Sequence, residues 1–187
     1  MTLSDTEFAV LRQTIATRGS ARMVLLPVTF IGWAALSLIL LLFSALPFAV
    51  LLPLSVLAAG FEAIHALHVG VERIGRYLQV FYETSNDGPR WETTAMAVGP
   101  SLPGGGIDPL FAVLFVCAGL VNLMPALLPQ PTPLELAMVS LFHALFVVRV
   151  ARARGAAARQ RAVELESYRA LRAQFPAPSA QEPTPRA

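Results

Sequence analysis

Hydrophobic residues are gathered into long uncharged segments along the chain. The longest runs from Met23 to Phe61, 39 residues without an ionisable side chain. As one helix it would be about 58 Å long, nearly twice the hydrocarbon thickness of a bilayer, which is about 30 Å. We therefore predict that the chain turns back at Ser44–Pro47, because a proline disfavours helix in the residue before it and can begin the next helix.

Two later apolar segments complete a predicted bundle. The pair Asp108–Pro109 is typical of a helix N-terminus and opens a third span. The segment 124–133 contains four prolines and no charge, so we place it in an outer turn before a fourth span. The predicted fold class is all-α, an integral membrane four-helix bundle with cytoplasmic helical extensions and with spans of about 23–43, 47–68, 108–123 and 134–148.

The second predicted helix continues past its apolar part as an amphipathic helix. At 100° per residue, the segment from Phe61 to Glu83 has a polar side and an apolar side. The polar side is Glu62, His65, His68, Glu72, Arg76, Gln79 and Glu83, and the apolar side is Ile64, Leu67, Val71, Ile74, Leu78 and Phe81. We predict a cytoplasmic extension that ends in a loop, the two together covering 69–106, because residues 84–106 are rich in helix breakers.

The remaining segments are predicted to be cytoplasmic as well. Residues 1–22 contain a capping-box spacing, Ser4 and Glu7, followed by apolar residues at helical intervals, which indicates a short amphipathic arm on the membrane surface. Residues 149–175 are predicted to form an arginine-rich helix. Residues 176–187 are proline-rich and are predicted to be disordered.

Composition supports a membrane protein and excludes several enzyme classes. The 187 residues are 55% hydrophobic and 14% charged, with a mean hydropathy of +0.60. All 14 basic residues are arginine, which excludes chemistry that needs a lysine, such as a Schiff base or a P-loop. The single cysteine, Cys117, lies in an apolar segment and excludes an internal disulfide.

The arginines predict the topology. Three lie in the N-terminal arm, three between Val69 and Gly106, and eight from Arg149 onward, whereas the two predicted outer turns have none. By the positive-inside rule this pattern predicts a multi-pass protein of the cell membrane with both termini in the cytoplasm. The arginines lie beside apolar segments and are not interleaved with aromatics, so we expect the lipid bilayer, and no nucleic acid, as their partner.

The sequence contains partial patterns for two kinds of metal site, and neither pattern is complete. Glu62 and His65 have the E-x-x-H spacing of a di-iron site, but such a site needs a second copy and two further carboxylates. A bis-histidine haem would join His65 or His68 to His143, yet His143 is predicted about 13 Å below the outer face and His65 about 26 Å. We therefore expect no cofactor and no metal, and keep a haem or metal redox protein as the least favoured alternative.

Depth in the membrane instead predicts polar contacts. Glu62 and Arg149 come out at about 21 Å and about 22 Å below the outer face, so an ion pair with His65 beside it would lower the cost of burying either charge alone. Asn122 and Glu135 both come out near the outer surface, where they can form a hydrogen bond. Groups of this kind either fasten helices together or, as an alternative function, line a proton or cation pathway through Glu62, His65 and His143.

The leading functional hypothesis comes from the cytoplasmic extensions. An apolar stripe on the second helix matches one on the C-terminal helix, and the two can cover each other or dock another protein. The candidate residues are Ile74, Leu78, Phe81, Leu165, Tyr168, Leu171 and Phe175. The sequence thus favours a small, non-enzymatic membrane subunit or scaffold that docks a cytoplasmic protein partner or forms a homo-oligomer.

Overall fold

The protein is helical throughout the part of the chain that the structure describes. The structure is a computed structural model that describes residues 3–44, 46–83, 90–98 and 110–174, and no strand occurs among them. The α-helices in these residues are α1 (Leu3–Phe43), α2 (Leu51–Phe81), α3 (Trp91–Val98), α4 (Ala112–Leu123) and α5 (Pro133–Gln174). Short 3₁₀ helices precede α2 at Pro47–Val50 and follow α4 at Met124–Leu127. The all-α prediction is confirmed for these residues.

Three of these helices are long and apolar enough to cross a membrane. They are Asp5–Phe43 in α1, Pro47–Phe81, which includes α2, and Pro133–Gln174, which is α5. The segment Ala112–Leu127 is also apolar but shorter. One α-helix of 12 residues and a 3₁₀ turn of four residues span about 26 Å, somewhat less than the hydrocarbon thickness of a bilayer.

Side-chain contacts give the directions of the long helices. α1 and α2 are antiparallel, because Glu7 of α1 bonds Tyr82 just past the end of α2, whereas Arg22 lies beside His68, closer to its start. α2 and α5 are parallel. Residue pairs along them keep a nearly constant sequence separation, from 87 at Glu62–Arg149 to 89 at Glu72–Arg161 and 92 at Val80–Arg172.

The core lies where α2, α4 and α5 meet. Leu57, Phe61 and Ile64 of α2 are fully buried, and Phe115 of α4 is buried against them. The Phe61 and Phe115 rings meet edge to face with centroids 5.3 Å apart, and α1 adds Phe30, whose ring centroid lies 5.2 Å from that of Phe115.

α1 and α2 approach each other closely at Gly60. A Cβ atom on Gly60 would lie 2.7 Å from the Cβ of Thr29, with the other side-chain atoms of Thr29 closer still. Thr29 is itself only 6% exposed. The absence of a side chain on Gly60 is therefore what lets the two backbones pack together, as small residues do between membrane helices.

Both terminal helices are longer than the sequence predicted. Residues 1–22 do not form a separate surface arm, because their described part continues into the first apolar segment as α1. Residues 149–174 likewise continue the helix that starts at Pro133. No proline or glycine interrupts the chain at either predicted boundary, and the extended α2 supplies packing partners for both segments.

The predicted loop 84–106 contains a short helix, α3. The carboxylate of Glu83, at the end of α2, accepts the N–H groups of Glu92 and Thr93 at 2.6 Å and 2.7 Å, and so caps the first turn of α3. Glu83 is buried, at 8% exposure. The Asp108–Pro109 start signal and the tail 176–187 lie outside the described residues.

Candidate functional site

Glu62, His65 and Arg149 form a polar cluster between α2 and α5. Nη2 of Arg149 donates to Oε2 of Glu62 at 2.7 Å and lies 3.4 Å from Nδ1 of His65. The guanidinium carbon also lies 6.0 Å from the centroid of the Phe61 ring. The structure thus brings together the three side chains that depth predicted to meet.

This ion pair lies on the outer surface of the helix assembly. The side chains of Glu62 and Arg149 are 48% and 43% exposed. Both charges are therefore accessible to the surroundings of the protein at this level.

A second polar cluster is buried around Asn122. Its Oδ1 accepts Nε1–H of Trp33 at 3.0 Å, and its Nδ2 donates to the carbonyl of Val50 at 2.8 Å and to Nε2 of His143 at 3.0 Å. Nδ1 of His143 donates to the carbonyl of Val139 at 2.8 Å. His143 is therefore the neutral tautomer with its proton on Nδ1. Asn122 of α4 thus contacts α1, the 3₁₀ turn before α2, and α5.

The two clusters are separate. His143 precedes Arg149 by six residues on α5, which is about 9 Å along the helix axis. The predicted grouping of His143 with Glu62 and His65 therefore divides into an exposed cluster and a buried one.

Glu135 does not meet Asn122, contrary to the prediction. Its carboxylate accepts the backbone N–H and the hydroxyl of Thr132, both at 2.8 Å, and its own N–H bonds the Thr132 hydroxyl at 3.3 Å. The two residues form a capping box at the start of α5. Similar depth placed Glu135 and Asn122 near each other, but Asn122 points into the assembly and Glu135 back along its own helix.

Beyond the apolar segments, α2 and α5 are joined by a network of ion pairs centred on Arg76. Arg76 donates to Glu164 at 2.6 Å and 2.9 Å and to Glu72 at 3.0 Å, and only 5% of its side chain is exposed. Arg161 reaches Glu72 at 3.0 Å, and Arg73 reaches Glu164 at 3.2 Å. We refer to these five residues as the Arg76 network.

The Arg76 network lowers the pKa of Glu164, one of its two carboxyl groups. Burial raises the pKa of the Glu164 carboxyl, but hydrogen bonds from Arg76, Gln160 and Arg73 and the charge of Arg76 outweigh this effect, so the pKa lies below its ordinary value. The sequence placed Glu72 and Arg76 on the polar side of the cytoplasmic extension, the side that an amphipathic helix usually turns to water. Arg76 is instead buried, because α5 covers it.

The predicted docking residues differ in how far they are buried. Leu78 is fully buried, and the Tyr168 ring meets Tyr77 edge to face with centroids 5.9 Å apart. Ile74, Phe81 and Leu165 are half-buried, Leu171 is 40% exposed, and Phe175 lies outside the described residues. Tyr168 thus contacts α2 beside the predicted stripe, whereas Leu171 stays exposed. Mutual covering of the two stripes, or docking of another protein by them, stays a prediction.

The N-terminal half of α1 contributes contacts that the sequence did not predict. Tyr77 and Tyr82 donate their hydroxyls to Glu7 at 3.0 Å and 2.7 Å, and Arg12 pairs with Glu92 of α3 at 2.8 Å. Burial raises the pKa of the Glu92 carboxyl, although the charge of Arg12 opposes it. Burial and the hydrogen bond to Glu7 raise the pKa of Tyr77.

Neither a metal cluster nor a relative helps to assign the site. No group of three or more His, Cys, Asp or Glu side chains in the described ranges is arranged to hold a metal ion. Comparisons with models of protein families, with curated proteins and with solved structures found no match to this chain.

Proposed function

We propose that the protein is a multi-pass protein of the cell membrane with four spans, in α1, α2, α4 and α5, and with both ends of the chain in the cytoplasm. Helix direction supports this topology. α4 is antiparallel to α5, since Asn122 meets His143 and Gly119 lies against Phe146, and it is antiparallel to α2, since Asn122 meets Val50 and Phe115 meets Phe61. Direction therefore alternates along the chain, as four successive spans require.

Charge supports the same orientation. The arginines among the described residues lie in the first half of α1, in or after the second half of α2, and from Arg149 onward in α5. Helix direction brings these segments to one end of the molecule. The end that carries the arginines is then the cytoplasmic face, and the end whose turns have none is the external face.

The activity that we propose is that of a scaffold or subunit that docks a cytoplasmic protein. The observation that carries this proposal is the Arg76 network, in which a guanidinium that is 5% exposed is fixed between two helices beyond the apolar region. A membrane anchor needs no such network. A platform that presents side chains to a partner in a constant arrangement does need one, because exposed helix ends otherwise fray.

The partner is expected on the outer side of the α2–α5 pair. Leu78 is already covered, whereas Val163 and Leu171 of α5 remain 64% and 40% exposed. Photo-crosslinking residues placed in cells at Val163 or Leu171 should give a protein adduct of defined mass, and Val148, in the apolar part of α5, is the matched control. Arg76→Ala should reduce the adduct without reducing the amount of protein in the membrane. Absence of a protein adduct at both positions would overturn the docking proposal.

A proton- or cation-handling protein is the second candidate, and the exposure of Glu62 is the observation that favours it. In this case Glu62 exchanges its contact with Arg149 for a proton or cation during transport. Ion flux into proteoliposomes that contain the purified chain alone, abolished by Glu62→Gln, would favour transport over docking. The third hypothesis, a haem or metal redox protein, predicts an optical absorption or a bound metal in the purified protein.

A further inference from the structure

An apolar groove runs along the outside of the molecule between α2 and α5 and ends at the Glu62–Arg149 ion pair. Its volume is about 430 Å³. Leu54 and Phe61 form its floor and are buried, whereas Phe142 and Leu145 at its rim are 45% and 55% exposed. It is thus open to the surroundings along a mainly apolar wall, with its charges at one end; the hydroxyl of Ser55, which also lines it, donates to the carbonyl of Leu52.

The dimensions of the groove match one lipid tail. It extends from Leu51 to Glu62 on α2, eleven residues or about 16 Å along the axis. The hydrocarbon of a single leaflet is about 15 Å thick, half of the bilayer value. In the proposed topology Leu51 follows the outer turn and Glu62 lies nearer the cytoplasm. The charged end of the groove is therefore its cytoplasmic end, where a lipid of the inner leaflet has its headgroup, and a tail in the groove would cross the centre of the bilayer.

The two charges at the end of the groove pair with each other and still leave nearly half of each side chain exposed to a further polar group. Glu62 lies six residues before His68, which pairs with Arg22 where the apolar part of α1 begins, so the pair is about 9 Å inside that boundary. Charges at such a level are accommodated when arginine extends toward the headgroups and the headgroups move inward. Glu62 and Arg149, both nearly half exposed, are available for such contacts.

The geometry points to a binding site for one phospholipid with an ethanolamine headgroup. Its acyl chain lies in the groove, its phosphate accepts hydrogen bonds from Arg149, and its primary ammonium donates to Glu62. An adjacent carboxylate and guanidinium complement a headgroup that has both charges. A choline headgroup has no N–H to donate to Glu62, and an anionic glycerol headgroup places no cation against it. This inference rests on the proposed membrane placement but not on the docking of a partner.

Native mass spectrometry of the protein released from vesicles tests the site. With equal amounts of ethanolamine, choline and glycerol phospholipids of the same chain length, one ethanolamine lipid should be retained on the order of tenfold more than either other lipid, the factor that one charge-assisted hydrogen bond supplies. Glu62→Gln should shift the preference to the anionic glycerol lipid. Arg149→Gln should abolish retention of all three.

The groove is tested independently of the charges. Ala58 lines it, whereas the neighbouring Ala59 is exposed outside the lining. Ala58→Phe should reduce retention of the ethanolamine lipid about tenfold, and Ala59→Phe should leave it unchanged; circular dichroism checks that both variants are folded. Equal retention of the three lipids by the unmodified protein, or equal retention by the two variants, would overturn the lipid site. Recovery of the chain from the soluble fraction would instead overturn the membrane placement.

Discussion

Replacing Gly60 by alanine is expected to push α1 and α2 apart. The new Cβ atom would lie 2.7 Å from the Cβ of Thr29, whereas carbon atoms in favourable contact are about 3.5–4.0 Å apart. Because the Cβ of Thr29 is fixed to the α1 backbone, no side-chain rotation relieves the overlap. The helices must separate by about 1 Å, and neighbouring contacts along the interface are then lost.

The expected loss is about 1–3 kcal/mol of unfolding free energy, the usual cost of overpacking. Since every 1.4 kcal/mol is a factor of ten, the ratio of folded to unfolded protein should fall roughly fivefold to 150-fold. Gly32→Ala is the matched control. It adds the same atom between the same helices, but at an ordinary contact distance of 3.7 Å from Val56, and both variants gain the same helix propensity.

Unfolding by sodium dodecyl sulfate in mixed micelles provides the measurement. In a Trp91→Phe background Trp33 is the only tryptophan, and its hydrogen bond to Asn122 joins α1 to α4, so its fluorescence reports the loss of α1. Thr29→Gly, which removes the opposing Cβ, should restore most of the stability of Gly60→Ala. Equal stability of Gly60→Ala and Gly32→Ala within about 0.5 kcal/mol would refute the close helix approach as the reason for Gly60.

Three further predictions concern the polar clusters. Asn122→Ala should cost about 2 kcal/mol in the same titration, since three hydrogen bonds within a membrane protein are worth about 0.6 kcal/mol each; a loss below about 0.5 kcal/mol would contradict a fastening role. Arg76→Ala should cost about 2–3 kcal/mol, because it removes three charge-assisted hydrogen bonds at a side chain that is only 5% exposed, whereas Arg73→Ala, at a side chain 55% exposed, should cost less than about 1 kcal/mol; equal losses would contradict the central position of Arg76. Because the pKa of Glu164 is lowered in the folded state, its contribution is present above its unfolded pKa and lost as the pH falls through the folded value; distances between spin labels on α2 and α5 should therefore stay constant down to the ordinary carboxyl pKa of about 4.3 and lengthen only below it, and Glu164→Gln should remove this pH-dependent lengthening.

Helix geometry explains why the contact between Glu62 and Arg149 was predictable from the sequence. In a membrane helix, depth increases by 1.5 Å per residue from the turn at its outer end, and prolines and the absence of charge locate that turn in the sequence. The depths of two residues on different helices can therefore be compared directly. Depth says nothing about direction around the helix axis. Asn122 and Glu135 were expected to meet for the same reason and do not, because one points inward and the other caps its own helix.

The Arg76 network was not predictable by the same reasoning. Outside the bilayer there is no common boundary from which to measure depth, so the position of Glu164 relative to α2 depends on whether α5 continues without interruption past Arg149. The sequence was divided there because its composition changes from apolar to arginine-rich. Composition indicates where a helix passes from lipid to water. Whether the helix continues depends instead on residues that interrupt it, such as proline, and none occurs next to Arg149.

The nearly constant separation of residue pairs along α2 and α5 relates the two ends of the molecule. The partners are 87 residues apart in sequence in the pair Glu62–Arg149 and 88 residues apart in the pair Arg76–Glu164. The two pairs lie about 21 Å from each other along α2. A slip of α5 by one turn would move each partner by 5.4 Å, so neither ion pair could form in a shifted register. The network beyond the apolar segments therefore specifies the same helix register as the ion pair within them, and we expect that separating the extensions would also loosen the charged end of the groove.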